Sequence, residues 1–355
     1  MAVIDMLSRL NMDAAVLRTR LTALTQQTAT GLKTRELGDL GTELPRAMDL
    51  KATIQRQHSY TAALSAAASR ATATQGVLGQ LQGIALQFAD TVAIKLDPTD
   101  KQGIIRAAGM AKDALVQVAS LLNSQQGGQY LFGGTDIANP PIPDPSGIAS
   151  AGFATQIATA LGTLGGGNAA TVLASATTAA ASNVAGVTPF SAFLSDPATG
   201  LNEPRRAVPS ADAQTLAYGI SANRNAAAIS TGATTTGSWA RDLLGGLALL
   251  ANLTPASAAS PADFRQLASG LTSWLKGAEN TMAEEAGALG QAQAQITSLQ
   301  AVQASTVTAL TTQLAEAQEV DMAATLTRLQ ATQTTLQASY TAIGQLGSLT
   351  LVQFL

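Results

Sequence analysis

Residues 7–24, LSRLNMDAAVLRTRLTAL, carry the pattern that decides the fold. Apolar residues recur there at intervals of three and four positions, at Leu7, Leu10, Ala14, Leu17, Leu21 and Leu24. This is the a/d spacing of a coiled coil, and polar residues such as Arg18 and Arg20 lie outside it. A stripe this narrow predicts a helix that packs against one partner helix rather than on a broad core.

The other end of the chain carries a matching pattern. A second stripe runs through Met322, Leu326, Leu329, Leu336, Tyr340 and Ile343, and further apolar residues follow at Leu349, Leu351 and Phe354. No proline follows Pro261, so long helices are expected from there to the end of the sequence. We therefore predict that the two ends of the chain form helices that pair with each other.

Between the ends, the sequence predicts a long helix from about Pro45 to Lys95 and another over 100–124. Most of the prolines lie in residues 137–260, and residues 161–187 are small, polar and glycine-rich, a composition typical of strands and loops or of partly disordered surface rather than of long helices. The predicted fold is mainly α, a long antiparallel coiled-coil helical bundle built from both termini with a smaller α/β or β-rich outer domain inserted. The predicted limits are 1–44 and 319–355 for the two arms, 45–136 and 261–318 for the helical core domain, and 137–260 for the outer domain.

Composition excludes several classes of function. The net charge is −3 and no basic run is long enough for a phosphate-binding surface, so we expect no nucleic acid. The chain has no cysteine, which excludes disulfides and thiolate chemistry. Charges interrupt the first twenty residues, so we expect no cleavable signal peptide, and no apolar window is long enough to predict membrane insertion.

No group of residues predicts catalysis. His58 is the single histidine and has no sequence partner for a metal or a catalytic triad. Glu284 and Glu285 are adjacent and would point about 100° apart on a helix, so we expect a solvated helix face. Trp239 and Trp274 are expected to be core anchors, and Arg205 and Arg206 form either a solvated loop or a contact to an acidic neighbouring subunit. We expect no enzyme activity, no cofactor and no metal.

Several stretches carry a resemblance to the bacterial flagellin family. They are LTALTQQTATGLKT at 21–34, GGQYLFGGTD at 127–136, AEEAGALGQAQAQITSLQ at 283–300, and the whole of 319–355. Within that family the chain is most similar to the flagellin-type hook-associated proteins of the hook–filament junction. It departs from the family in the loop after the first helix, where RELGDLGTELP keeps only Asp39 of an Asn-rich, Asp-Asp-containing segment.

The resemblance implies a structural subunit that joins hook to filament by self-assembly into a helical tube. It implies export without a cleavable signal, an extracellular flagellar location, a cytoplasmic export chaperone, and contacts with a neighbouring hook-associated protein and flagellin. The expected assembly interface comprises Leu7, Leu10, Leu17, Leu21, Leu24, Leu329, Leu336, Tyr340, Ile343, Leu349, Leu351 and Phe354. Two alternatives stay open, a filament flagellin and a non-flagellar secreted or signalling coiled-coil protein.

The resemblance also gives residues 127–136 an expected role. In flagellins this segment lies where the chain leaves the helical core for the outer domain. Gly127 and Gly128 are then expected to end the preceding helix, Tyr130 and Phe132 to anchor the departing chain, and Gly133 and Gly134 to let it turn outward. The expected hinge residues are Gly128, Tyr130, Phe132, Gly133 and Gly134. The alternative is an ordinary helix-to-loop transition with two buried aromatic residues.

Overall fold

The computed structural model describes residues 2–232 and 234–352, with the side chains of residues 2–5, 7, 93 and 346–352 outside the description. Long helices account for most of these residues, which confirms the predicted mainly-α class. The chain divides into two compact units, Met1–Ser59 with Val302–Leu355, and Tyr60–Ala301. The first is called the terminal unit and the second the central unit.

The terminal unit contains helix α1 (Ala2–Thr30), the start of α2 (Leu44–Lys95), the end of α8 (Pro261–Gln318) and α9 (Met322–Val352). Helix α1 packs against α9. The pair is antiparallel, because Leu32 bridges to Glu319 whereas Arg18 contacts Tyr340 further along α9. The ends of the chain therefore pair with each other, as the two stripes predict.

In the central unit, α2 and α8 run side by side in opposite directions. The side-chain amide of Gln293 donates to Thr72 at 3.4 Å, and that of Gln300 donates to Ser65 at 3.1 Å. Both helices feed one hydrophobic core with residues spaced three and four apart, including Leu64, Ala67, Ala71, Leu78, Leu81, Ala85, Leu289, Ala292 and Ile296. The heptad pattern therefore continues through the central unit.

Helix α3 (Lys101–Leu122) begins at Asp100, whose carboxylate accepts a 2.8 Å hydrogen bond from the amide of Gly103 and so caps the helix. A short hairpin of β1 (Gln125–Gln126) and β2 (Gln129–Tyr130) follows. Helix α3 packs against a later helix, α7 (Trp239–Ala251).

Three short α-helices lie between β2 and α7, in a segment whose described residues are otherwise mostly irregular. They are α4 (Gly152–Leu161), α5 (Ala169–Ala181) and α6 (Ala192–Ser195), and an antiparallel hairpin of β3 (Ala207–Ala211) and β4 (Gln214–Ala217) follows them. The expectation of strands and loops over 161–187 is wrong for α5. Its many alanines favour helix, and Val172, Leu173 and Ala176 bury one face.

Helix α7 (Trp239–Ala251) lies at the centre of the core, and all of its residues are buried. A helix surrounded on every side needs close neighbours, and glycine provides the room for them. A Cβ at Gly245 would lie 2.7 Å from the ring of Trp274, so only hydrogen fits there. Trp239 and Trp274 are both buried, which confirms the prediction that they are core anchors.

Two charged residues of α7 are also buried. Arg241 donates to the carbonyls of Ala180, Ser182 and Asn223 at 2.9–3.2 Å, and burial lowers its pKa to about 10. Asp242 accepts from the amide of Thr236 at 2.6 Å and from the indole of Trp274 at 3.1 Å. These bonds tie α7 to α5, to α8 and to the loops around it, because each buried charge finds its partners there.

Candidate assembly surface

The buried stripe of α9 is built partly from hydroxyl-bearing residues. Thr325, Thr332 and Leu336 are buried, and Leu329, Ser339 and Ile343 are half-buried, at successive spacings of four and three. The hydroxyls of Thr325 and Thr332 donate to the carbonyls four residues earlier at 2.7 Å. A threonine whose hydroxyl is satisfied by its own helix presents its methyl group to the partner helix. Polar residues therefore complete this seam.

The partner stripe on α1 follows its predicted positions. Ala14 and Leu24 are buried, and Leu10, Leu17 and Leu21 are half-buried. The seam is narrow on both helices, so each helix keeps most of its circumference free for further contacts. The side chains of Leu7, Leu349 and Leu351 are outside the description, and Phe354 lies outside the described residues.

The large apolar residues of the predicted α9 stripe divide into two groups. Leu329, Leu336 and Ile343 lie in the seam, whereas Met322, Leu326 and Tyr340 flank it with 40%, 48% and 42% of their surface exposed. Tyr340 is held at the edge by Arg18, whose guanidinium lies 5.2 Å from the ring centroid and donates to the phenol oxygen. This contact fixes the register of α1 against α9.

Two exposed apolar residues, one turn apart, lie on the opposite side of α1. Met12 is 63% exposed and Val16 is 67% exposed. At 100° per residue these two positions point away from the seam that α9 covers. Apolar side chains on both faces of one helix are typical of a helix that is covered on two sides in an assembly.

The helix breaks of the two arms lie against each other. Residues 31–33 follow α1, and residues 319–321 separate α8 from α9. The amide of Lys33 donates to the carbonyl of Gln318 at 2.7 Å, and the amide of Val320 donates to that of Gly31 at 2.9 Å. The ammonium of Lys33 also donates to the carbonyls of Glu316 and Ala317 near the end of α8. We call this arrangement the arm junction.

An open groove of about 420 Å³ lies beside the arm junction. Leu32, Leu37 and Leu40 contribute its apolar lining, and Lys51 and Gln318 contribute polar groups. Leu32 and Leu37 are 36% and 39% exposed. The groove is large enough for apolar side chains to insert.

The glycine-bracketed segment begins differently from the expectation. Helix α3 ends at Leu122, before the first glycine pair, where the side chain of Asn123 bonds both the amide and the carbonyl of Ile142. Gly127 and Gly128 form the two-residue turn between β1 and β2, with φ of +58° and +76°. Two positive φ values are the geometry of a type I′ hairpin turn, which glycine adopts without strain. The prediction that Gly127 and Gly128 end the helix is therefore wrong.

The second half of the segment is tightly held. Phe132 is fully buried, and its ring meets that of Trp239 edge-on with centroids 5.9 Å apart, whereas Tyr130 is half-buried. The carbonyl of Phe132 accepts from the amide of Ala222 at 3.0 Å, and Gly133 bridges to Ser221. Gly134 has a φ of +66°, and a Cβ there would collide with the carboxylate of Glu203. Residues 130–134 are thus held by contacts with residues 203–222, the segment that contains the β3–β4 hairpin.

The histidine and the adjacent glutamates do not form a catalytic group in the described structure. His58 is exposed on α2, and Glu284 is exposed on α8. Glu285 is fully buried, which corrects the expectation of a solvated face, and its carboxylate accepts from the amides of Ala226, Ala227 and Ala228 at 2.7–2.8 Å. It anchors a loop. Within residues 2–232 and 234–352, no group of three or more metal-ligating side chains comes together.

None of the described helices is both long enough and apolar enough to cross a bilayer.

These features define a class of protein, an α-helical subunit whose two terminal helices pair in a narrow seam and carry further apolar residues outside it. Residues 272–355 match the family model described as the bacterial flagellin C-terminal helical region. The match covers about a quarter of the chain and supports the bacterial flagellin family, whose members are structural proteins. No curated protein matches the chain.

Proposed function

We propose that this protein is a structural subunit of the bacterial flagellum that self-assembles into a helical tube and joins the hook to the filament. The observation that carries the proposal is the α1–α9 pair. Helix α9 lies within the region that matches the flagellin model, and α1, which packs against it, exposes Met12 and Val16 on the face opposite the seam. Heterologous contacts between identical subunits generate open helical assemblies when their rotation does not close.

In this proposal, seam residues of the predicted interface hold the two arms together, and exposed residues outside that prediction contact neighbouring subunits. Leu10, Leu17, Leu21, Leu24, Leu329, Leu336 and Ile343 hold α1 to α9 within a subunit. Met12, Val16 and the groove beside Leu37 contact neighbouring subunits. A single narrow seam buries little area, so the pair gains much of its stability when neighbouring copies cover its outer face.

The segment 127–136 keeps its proposed role at the exit from the helical core. Its contacts support a rigid exit, because Phe132 is buried and Gly133 and Gly134 admit no larger side chain. The remaining proposals are export without a cleavable signal, a cytoplasmic chaperone that holds the arms before assembly, and neighbours that include a hook-associated protein and flagellin.

The test is the position and copy number of the protein in sheared flagella, measured by quantitative mass spectrometry and by immunogold labelling. A few copies confined to the hook end support the junction role. Thousands of copies along the filament identify a filament flagellin and overturn that role. Absence from flagella overturns the flagellar proposal as a whole.

A second experiment separates the flagellar proposal from a non-flagellar coiled-coil protein. Deletion of the last ten residues should abolish incorporation and motility if the C-terminal arm is part of the assembly surface. Retention of both would contradict the proposed interface.

A further inference from the structure

Four arginines of the central unit line one small cavity. Arg70 comes from α2, Arg205 and Arg206 precede β3, and Arg224 follows β4. Glu203 also lines the cavity, whose volume of about 20 Å³ accommodates one particle close to the size of a water molecule. We call this space the arginine cavity.

The hydrogen-bond acceptors of these arginines are all neutral. Arg206 donates to the side-chain oxygen of Gln129 at 3.2 Å, and Arg70 approaches the same oxygen at 3.5 Å and also donates to the carbonyl of Tyr130. Arg205 donates to the carbonyl of Gly219 at 3.1 Å, and Arg224 donates to the backbone carbonyl of Glu203. Within the described part of the chain, no ion pair joins any of the four guanidinium groups to a carboxylate.

The nearby acidic group is directed elsewhere. The carboxylate of Glu203 accepts from the amide of Thr135 at 2.7 Å and from the hydroxyl of the same residue. Its single charge offsets at most one of the four positive charges that line the arginine cavity.

One of the four arginines is deeply buried, and so is one nitrogen of a second arginine that is otherwise half-buried. Arg70 is only 7% exposed, and Nη1 of Arg206 is buried with no hydrogen-bond partner among the described residues. Burial and the neighbouring charge of Arg206 lower the pKa of Arg70. Buried charges in proteins are ordinarily paired, because an uncompensated one carries a large desolvation cost.

We propose that the arginine cavity binds one monatomic anion of chloride size, held by the guanidinium groups of Arg70, Arg206 and their two neighbours. The positive charge selects an anion, and the volume selects a single atom over phosphate, sulfate or a carboxylate. The bound anion joins residues 129–134 to residues 203–224, which include the β3–β4 hairpin, and stabilises this contact by neutralising the repulsion between Arg70 and Arg206.

The direct test is diffraction from crystals of the full chain soaked in sodium bromide, with data collected at the bromine absorption edge. We expect an anomalous peak inside the arginine cavity, within hydrogen-bond distance of at least one of the four guanidinium groups that line it. Absence of a peak there, whatever peaks occur on the surface, overturns the proposal.

The solution test compares unfolding in sodium chloride and in sodium gluconate at the same ionic strength, since gluconate is too large for the cavity. With chloride at ten times its dissociation constant, the folding equilibrium constant should be about tenfold higher than in gluconate. Arg206→Gln should abolish this difference. Arg106→Gln should keep the difference between the two salts, because Arg106 is exposed, does not line the arginine cavity and approaches Asp100 at 3.4 Å.

An equal response to the two salts in the wild type overturns the proposal, as does an unchanged chloride effect in Arg206→Gln. If Arg206→Gln does not fold, the bromide experiment on the wild type still decides the question. Both measurements are independent of flagellar assembly.

Discussion

The amide of Val320 donates a 2.9 Å hydrogen bond to the carbonyl oxygen of Gly31, so the break after the first helix is tied to the break before the last one. Lys33 completes the pairing through its bond to the carbonyl of Gln318. The backbone groups left unpaired where a helix ends need partners, and here each break supplies them for the other. The two arms therefore form their junction as one unit.

Gly31→Ala should loosen the arm junction. Gly31 has a φ of +72°, which costs a non-glycine residue about 1–2 kcal/mol, although its Cβ would meet no neighbouring atom. Hydrogen exchange at the amides of Lys33 and Val320 should become about fivefold faster or more. Gly38→Ala is the control, because Gly38 has equal space and no positive φ. Equal exchange rates in the two variants would contradict the role of Gly31.

Glu285→Ala should destabilise the central unit, and Glu284→Ala should not. Removing the carboxylate of Glu285 leaves the amides of Ala226, Ala227 and Ala228 without their acceptor, at a cost of about 2–4 kcal/mol. Its exposed neighbour Glu284 should change the stability by less than about 0.5 kcal/mol. Urea unfolding gives both values. Similar midpoints for the two variants would show that Glu285 is not an anchor.

Gly133→Ala should also destabilise the central unit, for a steric reason. A Cβ at Gly133 would lie 2.3 Å from the backbone carbonyl oxygen of Asp136, so the backbone within residues 127–136 has to shift. The same substitution at Gly79, an exposed position inside α2 with open space around it, should stabilise the protein by about 0.5–1 kcal/mol because alanine favours helix. Thermal unfolding should move the two variants in opposite directions. A Gly133→Ala variant as stable as the wild type would refute the steric account.

The helical framework could be predicted from the sequence because heptad spacing is a local property. The positions of Ala14 and Leu24 alone place the seam on α1. The seam on α9 was harder to predict, since Thr325 and Thr332 count as polar in any hydropathy pattern and are buried only because their hydroxyls bond the preceding turn. The Gly127–Gly128 pair did carry a usable signal, because two glycines between short polar segments are typical of a hairpin turn.

Other features depend on contacts between distant parts of the chain. Glu284 and Glu285 are indistinguishable in the sequence, and loop 226–228 makes one of them buried. The arginine cavity gathers Arg70 and Arg224 from separate segments, so no spacing along the chain could indicate it. Such sites arise from tertiary packing, which is also why the composition of residues 161–187 misled the expectation for α5.

Val16→Asp should block polymerisation without unfolding the monomer, and it tests the outer face of α1 directly. Val16 is 67% exposed, on the side of α1 opposite the seam with α9, so a charge there is solvated in the free protein. In the proposed tube the same charge is covered by a neighbouring subunit and loses its water, which is costly without a partner. The control is Val184→Asp, an equivalent substitution at a 65% exposed valine of the central unit.

Circular dichroism and thermal unfolding should leave both monomers like the wild type. Sedimentation after seeding with wild-type fragments should then show normal polymer for Val184→Asp and little or none for Val16→Asp. Normal assembly of both variants would remove the outer face of α1 from the interface and leave the groove beside Leu37 as the surface to test. Loss of helicity in Val16→Asp before assembly would instead place Val16 in the intramolecular seam, contrary to its exposure.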